Sequence, residues 1–461
     1  MRLVRLLVLA AVLVLAGAAP AAAHNVSAGA ELRIAQTIAG TELTVVVKGT
    51  SRVPGPLRIG IVAYQPVAGL PVALEVRSAE DGRTVTGRAT AARDPRYTEL
   101  RVERTGPHVL TLRAGGESAV VPFRVLVERG STAEFWIYGG FFVAGLLLVG
   151  GLLTGALSRP GPAMAVAGGA AAGVTVAAMV IVFEPMVPPG PPDGAAPVVT
   201  ALRGGGRPFV QERARTVPAR PVAGEEFTLR LDLVDGSTGR PADDLTVHDE
   251  ALAHLIVTSE DGRYFRHVHP LRTAPGRLEV RLRADRPGRY LAHTELERED
   301  SGTQLLAASF EVGGTSARDT GAGTPNADTR IPDADTGTPN ADTGIPDAGA
   351  GTPDAGGGAS AAGAPRLQPA APVAGRPATI ELDAVGPVRP WLGMTGHLIV
   401  RSLDGSFLGH VHEMSSPGPR LRFTFSFPEP GRYLAWTQYA LADRVVTVPF
   451  TVEVAAQEGS R

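Results

Sequence analysis

A sixteen-residue pattern that contains three histidines occurs twice in the chain of 461 residues. It spans residues 254–269 and 397–412 and reads His-Leu-Ile-Val-x-Ser-x-Asp-Gly-x-Tyr/Phe-x-x-His-Val-His. The two copies hold six of the ten histidines of the chain: His254, His267, His269, His397, His410 and His412. Imidazole is the commonest metal ligand of proteins and suits copper and zinc, so the pattern indicates metal coordination.

Each copy of the pattern predicts a β-hairpin, because apolar residues flank an Asp-Gly pair, which is the strongest short-range signal for a two-residue type I′ turn. Pairing outward from Asp261-Gly262 places His254 opposite His269. Opposed residues and residues two apart share a sheet face, so His267 joins them within reach of one ion. The other face is apolar and suits a packed core. The second copy predicts a matching site from Asp404-Gly405 with His397, His410 and His412.

Two other roles are open for these histidines. A duplicated domain repeats its structural residues as faithfully as its functional ones, so structural hydrogen bonding is one alternative. A pH-sensing cluster is the other. Metal binding is favoured over both, because neutral imidazoles need partners and three of them at the open end of one hairpin are an uncommon packing arrangement.

The first copy offers two further candidate ligands. His248 lies in a longer segment before the hairpin, and His293 lies on a later strand. By position, the second copy has Trp391 and Trp436 in their places. Two methionines that flank the second site are weaker candidates, because methionine usually fills gaps in a core: Met394 and Met414.

The repeat extends beyond the hairpin and predicts a duplicated domain. The phrase Pro-Gly-Arg-Tyr-Leu-Ala follows each hairpin, at residues 287–292 and 430–435. Short strands separated by Pro, Gly and Asp are typical of immunoglobulin-like antiparallel β-sandwiches. Residues 205–313 and 367–456 are therefore predicted as His-rich sandwich copies 1 and 2. Residues 24–130 show similar strands without the histidine hairpin and predict a third, N-terminal sandwich.

Apolar segments predict export and a membrane anchor. Residues 1–23 have the basic start, apolar run and small residues of a signal peptide. Residues 135–157 and 162–183 are uncharged and long enough to cross a bilayer of about 30 Å, which predicts a two-helix transmembrane hairpin. Two crossings after export leave the N-terminal and C-terminal domains extracytoplasmic, and Arg159 in the connecting turn agrees with this orientation.

The spacings Gly151-x-x-x-Gly155 and Gly169-x-x-x-Gly173 are predicted to let the two membrane helices approach closely. Residues 314–366, between the two copies, are rich in Ala, Gly, Asp, Thr and Pro and predict a disordered linker. A flexible linker of about fifty residues spans about 40 Å on average. The second copy is therefore expected to move freely relative to the first.

Composition narrows the partners and the ion. The net charge of −2 gives no sign of a nucleic-acid partner. The chain has no cysteine, so any metal must be held mainly by nitrogen and oxygen, which favours Cu(II), zinc or nickel over a thiolate-bound Cu(I). No catalytic residue and no organic cofactor is expected. The predicted partners are a metal ion, the lipid bilayer and another metal-handling protein of the envelope.

The duplicated His-Leu-Ile-Val…Asp-Gly…His-Val-His hairpin, followed by Pro-Gly-Arg-Tyr, resembles domains of uncharacterised exported bacterial proteins. The N-terminal region is similar to the YtkA-like group of immunoglobulin-like domains, which is associated with copper-handling proteins such as the CopC-like family. His24, at the expected mature N-terminus, and the sandwich pattern carry that second likeness. The resemblance implies metal handling in the bacterial envelope.

The sequence thus predicts a membrane-tethered extracytoplasmic protein that buffers or transfers a metal ion, copper foremost, through two hairpin sites. A non-metal adhesion or scaffold protein built of β-sandwiches is the alternative. A cupin-like metalloenzyme is a third reading, because such sites also combine His-x-His with a later histidine such as His293. The glutamate that cupin-like sites add a few residues after the pair has no match in register.

Overall fold

A computed structural model of the chain describes residues 25–64, 69–128, 132–186, 191–196, 209–299, 301–314, 363–413 and 418–457. These residues are mainly β, with antiparallel sheets that form three sandwiches and with two long apolar helices. The fold class predicted from the alternating strands is therefore confirmed. The predicted signal peptide, His24, Met414 and most of the predicted linker lie outside the described residues.

The N-terminal sandwich has two facing sheets. Its strands are β1 (Asn25–Val26), β2 (Glu31–Ile38), β3 (Thr41–Lys48), β4 (Gly55–Ala63), β5 (Pro71–Ser78), β6 (Thr84–Thr90), β7 (Thr98–Val102), β8 (Gly106–Ala114) and β9 (Glu117–Val125). One sheet has the order β1-β9-β8-β5-β6 and the other β2-β3-β4-β7. Alternate residues such as Leu57, Ile59 and Ile61 are fully buried, as the two-residue period of a strand requires.

Two apolar helices follow, α1 (Thr132–Leu153) and α2 (Pro160–Phe183), and both are long and apolar enough to cross a membrane. They touch closely at Gly140 and Gly173, where an added Cβ would lie 2.4 and 2.6 Å from the carbonyl oxygen of the other glycine. Gly155 lies in the connecting turn at φ 69°. The predicted role of Gly155 in close packing is therefore wrong, because helix α1 ends before it, and Gly140 takes that place.

Copy 1 comprises β10 (Val210–Val217), β11 (Glu226–Asp235), β12 (Leu245–Thr246), β13 (Ala253–Ser259), β14 (Phe265–Val268), β15 (Leu271–Ala274), β16 (Arg277–Arg283), β17 (Gly288–Arg298) and β18 (Gly302–Val312). One sheet has the order β10-β11-β16-β15. The other has the order β12-β17-β13-β14, and β18 also pairs with β17. The histidine hairpin is β13 and β14.

Copy 2 comprises β19 (Arg366–Gln368), β20 (Pro377–Asp383), β21 (Gly396–Ser402), β22 (Leu408–Glu413), β23 (Arg420–Ser426), β24 (Gly431–Ala440) and β25 (Val445–Val454). Its sheets have the orders β19-β20-β23 and β22-β21-β24-β25. The histidine hairpin is β21 and β22. In each copy the tyrosine of Pro-Gly-Arg-Tyr is buried at a sheet corner, where Tyr290 and Tyr433 donate to the carbonyls of Arg286 and Glu429.

The hairpins have the predicted register but not the predicted turn. Ile256 pairs with His267, as the prediction requires. However, Ser259 and Tyr264 close a four-residue loop, and Asp261 does not have the positive φ of a type I′ turn. Its carboxylate instead accepts hydrogen bonds from the Ser259 hydroxyl at 2.5 Å and the Arg263 amide at 3.1 Å. A longer loop centred on the same Asp-Gly leaves the strand register unchanged.

The two copies pack against each other through the sheet faces that carry the histidines. Those faces also hold apolar residues, which form a core between the copies: Ile256, Phe265, Ile399, Leu408, Leu434 and Trp436. Phe265 stacks on Trp436 with ring centroids 4.8 Å apart. The buried Arg401 donates to Thr258 Oγ1 at 2.5 Å, Ser259 O at 3.0 Å and Glu260 O at 2.8 Å. The copies are docked rather than free, because each histidine face is partly apolar.

The N-terminal sandwich packs against copy 1, and the two share one continuous apolar core. Strand β2 meets the open end of the copy 1 hairpin, where the Thr37 amide donates to the His269 carbonyl at 2.7 Å. The Ala35 amide donates to the Glu250 carbonyl at 2.6 Å. The three sandwiches therefore meet beside the histidines.

Candidate metal centre

The histidines of the two patterns come together in one group, the six-histidine cluster (His254, His267, His269, His397, His410 and His412). Across the interface the ring centroids of His254 and His410 are 5.3 Å apart, and those of His267 and His410 are 5.0 Å apart. The two sites predicted as separate are adjacent parts of one buried cluster. Sequence reasoning placed each trio on one sheet face correctly, but it did not bring the two faces together.

Each ring of the copy 1 trio donates its outer N–H to an oxygen that accepts it: His269 Nδ1 to Glu42 Oε1 at 2.6 Å, His267 Nδ1 to Gln438 Oε1 at 3.0 Å and His254 Nε2 to the His248 carbonyl at 3.2 Å. These oxygens belong to a carboxylate, an amide and a carbonyl, which accept hydrogen bonds and do not donate them. In the neutral form of each ring the proton is therefore on the outer nitrogen, and the inner nitrogen carries a lone pair.

The inner nitrogens of this trio face one another. His254 Nδ1 is 3.2 Å from His267 Nε2 and 3.0 Å from His269 Nε2. Three nitrogens bound to one tetrahedral ion at about 2.0–2.1 Å would be about 3.3–3.4 Å apart. Converging lone pairs repel one another unless a cation lies between them. The trio therefore has the spacing and the protonation pattern of a three-imidazole ligand set.

The copy 2 trio repeats the arrangement with equivalent atoms. His410 Nδ1 donates to Glu295 Oε2 at 2.8 Å, and His397 Nε2 donates to the Trp391 carbonyl at 3.4 Å. His412 Nδ1 lies 3.3 Å from Asp249 Oδ2. The inner nitrogens of this trio are 3.3 Å apart between His397 and His410 and 3.1 Å apart between His410 and His412. The ligand atoms of His267, His397 and His410 lie within 4.8 Å of one another, so His267 of copy 1, rather than His412, completes the group of three mutually close ligand atoms around His397 and His410. The two trios are therefore contiguous.

The acceptors of the two trios are partly exchanged between the copies. From His248 onward each copy 2 residue lies 143 positions after its counterpart, as His397 does from His254, so Gln438 is the counterpart of Glu295. Glu295 of copy 1 accepts from His410 of copy 2, and Gln438 of copy 2 accepts from His267 of copy 1. Outer partners of this kind fix the tautomer and orientation of a ligating imidazole. Neither trio is complete without the other copy.

The remaining two side-chain acceptors, Glu42 and Asp249, lie outside strands β17 and β24. Glu42, on β3 of the N-terminal sandwich, is held by the Thr37 hydroxyl at 2.7 Å and accepts from His269. Asp249 lies in a tight turn with Glu250, and both have positive φ, 47° and 60°. Non-glycine residues seldom adopt this conformation, and it is often retained at functional sites. The copy 1 trio thus has one carboxylate beside it and the copy 2 trio has two.

Burial disfavours protonation of four of the six rings. It lowers the pKa values of His254, His267 and His397 well below the usual value, and neighbouring imidazoles lower them further. The same burial lowers the pKa of His412 to about 4. These rings are therefore neutral at pH 7 and present lone pairs, as metal ligands must.

The other predicted ligands lie elsewhere. His293 donates from Nε2 to the Gly405 carbonyl at 3.0 Å, and burial lowers its pKa. The ring of His248 contacts Asp249 and Glu297 rather than the cluster, although its carbonyl accepts from His254. Met394 is buried in a tight turn, where it exchanges two backbone hydrogen bonds with Trp391.

Sequence reasoning missed the four side chains that hold the outer nitrogens: Glu42, Asp249, Glu295 and Gln438. A signal for two of them was present, because Glu295 and Gln438 each come three residues after the repeated phrase Pro-Gly-Arg-Tyr-Leu-Ala. Strand pairing places them opposite His254 and His397. No comparable pattern marks Glu42, which lies more than two hundred residues from its histidine.

One family model matches the histidine-bearing part of the chain. A domain of unknown function, DUF8832, matches residues 211–313 and again residues 366–456. The two matched ranges are the two copies of the repeat. A search of curated proteins gives no match.

Among solved structures, the chain is similar to a two-domain fibronectin type III segment of chicken tenascin, at 9% identity and a TM-score of 0.16, over 54% of this chain and 99% of that one. It is similar to trypsin-activated α2-macroglobulin of Escherichia coli at 9% identity and a TM-score of 0.18, over 96% of this chain and 23% of that one. It is also similar to the tandem repeats of the extending region of a large adhesion protein, at 9% identity and a TM-score of 0.16, over 94% of this chain and 74% of that one.

Proposed function

We propose that the protein is a membrane-tethered metal-binding protein whose six-histidine cluster holds two transition-metal ions, one at each trio, for buffering or transfer. The observation that carries the proposal is the convergence of inner imidazole nitrogens at 3.0–3.3 Å, while every outer nitrogen lies within 3.4 Å of an oxygen acceptor. In the neutral form of the rings the inner nitrogens are acceptors that face one another, and a cation bound between them resolves this conflict.

The donor set indicates the class of ion. All six ligand candidates are imidazoles, and the chain has no cysteine. Imidazole suits copper and zinc among the common ions, so Cu(II) or zinc is proposed. Two dications in adjacent sites repel each other, and the carboxylates of Glu42, Asp249 and Glu295 offset part of that positive charge.

The proposed setting is the cell envelope, with the sandwiches on the extracytoplasmic side. Helices α1 and α2 are proposed as a transmembrane hairpin. Val127 and Asp193, on either side of this helix pair, exchange backbone hydrogen bonds of 3.1 and 2.8 Å, so both ends of the hairpin return to the N-terminal sandwich. Two crossings then leave the three sandwiches on one side of the bilayer. The resemblance to YtkA-like and CopC-like copper-handling domains suggests another envelope protein as donor or acceptor of the ion.

The second candidate function is a non-metal adhesion or scaffold protein. It is favoured by the docking of the two histidine faces, in which Phe265 stacks on Trp436 and Arg401 bonds to copy 1. In that case the cluster only joins the copies. A cupin-like enzyme receives less support, because the Glu413 carboxylate, just after the second His-x-His, accepts from the Arg422 amide at 2.8 Å.

The test is a metal titration of the full-length chain in detergent, stripped of metal beforehand. We expect two equivalents of Zn(II) or Cu(II) for the unmodified chain and one equivalent for His269→Gln or His412→Gln. His293→Gln is the matched control, because His293 is a buried histidine of copy 1 whose ring lies outside the cluster, and it should keep two equivalents. Failure of the unmodified chain to bind either ion would favour the scaffold.

A further inference from the structure

The six-histidine cluster is open to solvent on one side, at His412. The side chain of His412 is 15% exposed, compared with 2% for His410 and 1% for His269. Beside it lie three polar side chains of copy 1 that are more exposed than His412: Asp249, His248 and Glu297, at 18%, 34% and 33% exposure. Exposure thus increases stepwise from the buried rings to the surface.

These groups form a continuous series of metal-binding atoms. Asp249 Oδ2 lies 3.3 Å from His412 Nδ1 and 3.0 Å from His248 Nε2, so one carboxylate oxygen lies between two imidazoles. On its other side, His248 Nδ1 is 3.2 Å from Glu297 Oε2. The outer end of the series offers two carboxylates and one imidazole, which is a donor set that accepts a hydrated divalent cation.

The equivalent positions of copy 2 are apolar and closed. The counterparts of His248, Asp249 and Glu297, each 143 residues further along the chain, are Trp391, Leu392 and Ala440. All three are buried, at 2%, 0% and 0% exposure. They pack with Ala35 of the N-terminal sandwich in one apolar cluster. Polar side chains therefore connect the cluster to solvent on the copy 1 side. At the equivalent place of copy 2, buried apolar side chains close the cluster to a cation.

The carboxylates of Asp249 and Glu297 lie against the two ring nitrogens of His248 and give the mouth of the cluster a negative potential that attracts cations.

We propose that His248, Asp249 and Glu297 form the entrance of the metal centre, where a divalent transition-metal ion first binds and from which it passes to His412 and then to the buried trios. The inference rests on the proposed metal-binding function. At the entrance the ion exchanges part of its water shell for carboxylate oxygen and for the lone pair of the neutral His248 imidazole. In the cluster it exchanges the oxygens for nitrogen alone. The copy 2 trio is filled first and the copy 1 trio second.

The test measures the rate of loading separately from the amount bound. The full-length chain in detergent is mixed with Zn(II) in a stopped-flow instrument, with a fluorescent zinc indicator as the reporter, and release is followed by adding a chelator. For His248→Gln combined with Glu297→Gln we expect loading and release both to slow by about tenfold or more, because capture by local charge is lost. The bound amount stays at two equivalents. Glu99→Gln, which removes an exposed carboxylate of the N-terminal sandwich, is the control and should not change either rate.

Three results would overturn the entrance and leave the proposed function standing. Unchanged rates in the double variant would show that ions enter elsewhere. The loss of one whole equivalent would make His248 a ligand rather than an entrance residue. Unequal effects on loading and release, with a changed affinity, would indicate a perturbed cluster. Absence of binding in the unmodified chain would instead refute the metal-binding function itself.

Discussion

Exchanging the outer partners of the two trios should transfer affinity from one trio to the other. Glu295 and Gln438 are counterparts in the repeat, and each accepts the Nδ1 proton of a cluster histidine of the opposite copy, at 2.8 and 3.0 Å. Glu295→Gln replaces a carboxylate by the amide that the other trio already has. The geometry therefore has a precedent within the same molecule, and the change acts mainly on charge.

The size of the effect follows from the role of the outer partner. A carboxylate makes the imidazole a stronger donor to the ion, and loss of such a partner typically costs about 10–100-fold in metal affinity, or about 1.4–2.7 kcal/mol. We expect Glu295→Gln to weaken the copy 2 trio by this factor and to leave the copy 1 trio within about threefold. Gln438→Glu should strengthen the copy 1 trio, because it adds a carboxylate beside His267.

The assay is a competition titration of the full-length chain with a zinc indicator, fitted to two sites. Glu99→Gln serves as the control, since its exposed ion pair with Arg58 lies in the N-terminal sandwich. The reasoning about tautomers is wrong if Glu295→Gln folds normally and binds zinc at both sites as tightly as the unmodified chain. It is also wrong if Gln438→Glu weakens binding at the trio it is expected to strengthen.

Three further predictions concern docking, pH and the helix pair. Arg401→Met removes the donor of three buried hydrogen bonds to Thr258, Ser259 and Glu260, so it should destabilise the chain by about 1–3 kcal/mol and lower zinc affinity at both trios. Equal melting temperatures would contradict this. Burial raises the pKa of Glu212 from 4.5 to about 7. Between these two pH values the folded state therefore binds more protons than the unfolded state. The free energy of unfolding that the protonated Glu212 provides below pH 4.5 is lost as the pH rises to about 7 and above. Glu212→Gln should accordingly be up to about 3 kcal/mol more stable at pH 8 but equally stable at pH 4, as denaturant titrations at the two pH values would show. Gly173→Ile places a branched side chain against the Gly140 carbonyl and should separate α1 from α2, which a loss of cross-linking between cysteines introduced into the two helices would detect.

Local patterns predicted most of the fold, because they act over a few residues. Alternation of apolar and polar residues predicted the sandwiches, and the Asp-Gly pair centred each hairpin and so paired Ile256 with His267. The type I′ turn was wrong because the Asp261 carboxylate stabilises a longer loop through its own hydrogen bonds. Hydropathy likewise placed both long helices, but spacing alone could not tell that Gly155 lies beyond the end of α1.

The candidate site was predictable only in part. The trios follow from strand period, and the run Leu-Ile-Val contains a residue, Ile256 or Ile399, that shares the histidine face. This apolar residue was the available sign that the face is covered. Which surface covers it depends on contacts between residues more than a hundred positions apart, such as His410 with Glu295. Such contacts leave no local pattern in one sequence, and neither does the arrival of Glu42 from another sandwich.

The most direct test of the metal centre is an anomalous difference map from crystals of the full-length chain loaded with zinc or copper and measured at the absorption edge of the ion. We expect two peaks between the copies, one about 2.0–2.1 Å from the inner nitrogens of His254, His267 and His269 and one equally close to those of His397, His410 and His412. A map with no peak in the cluster, in crystals that hold the ion elsewhere on the surface, would contradict it.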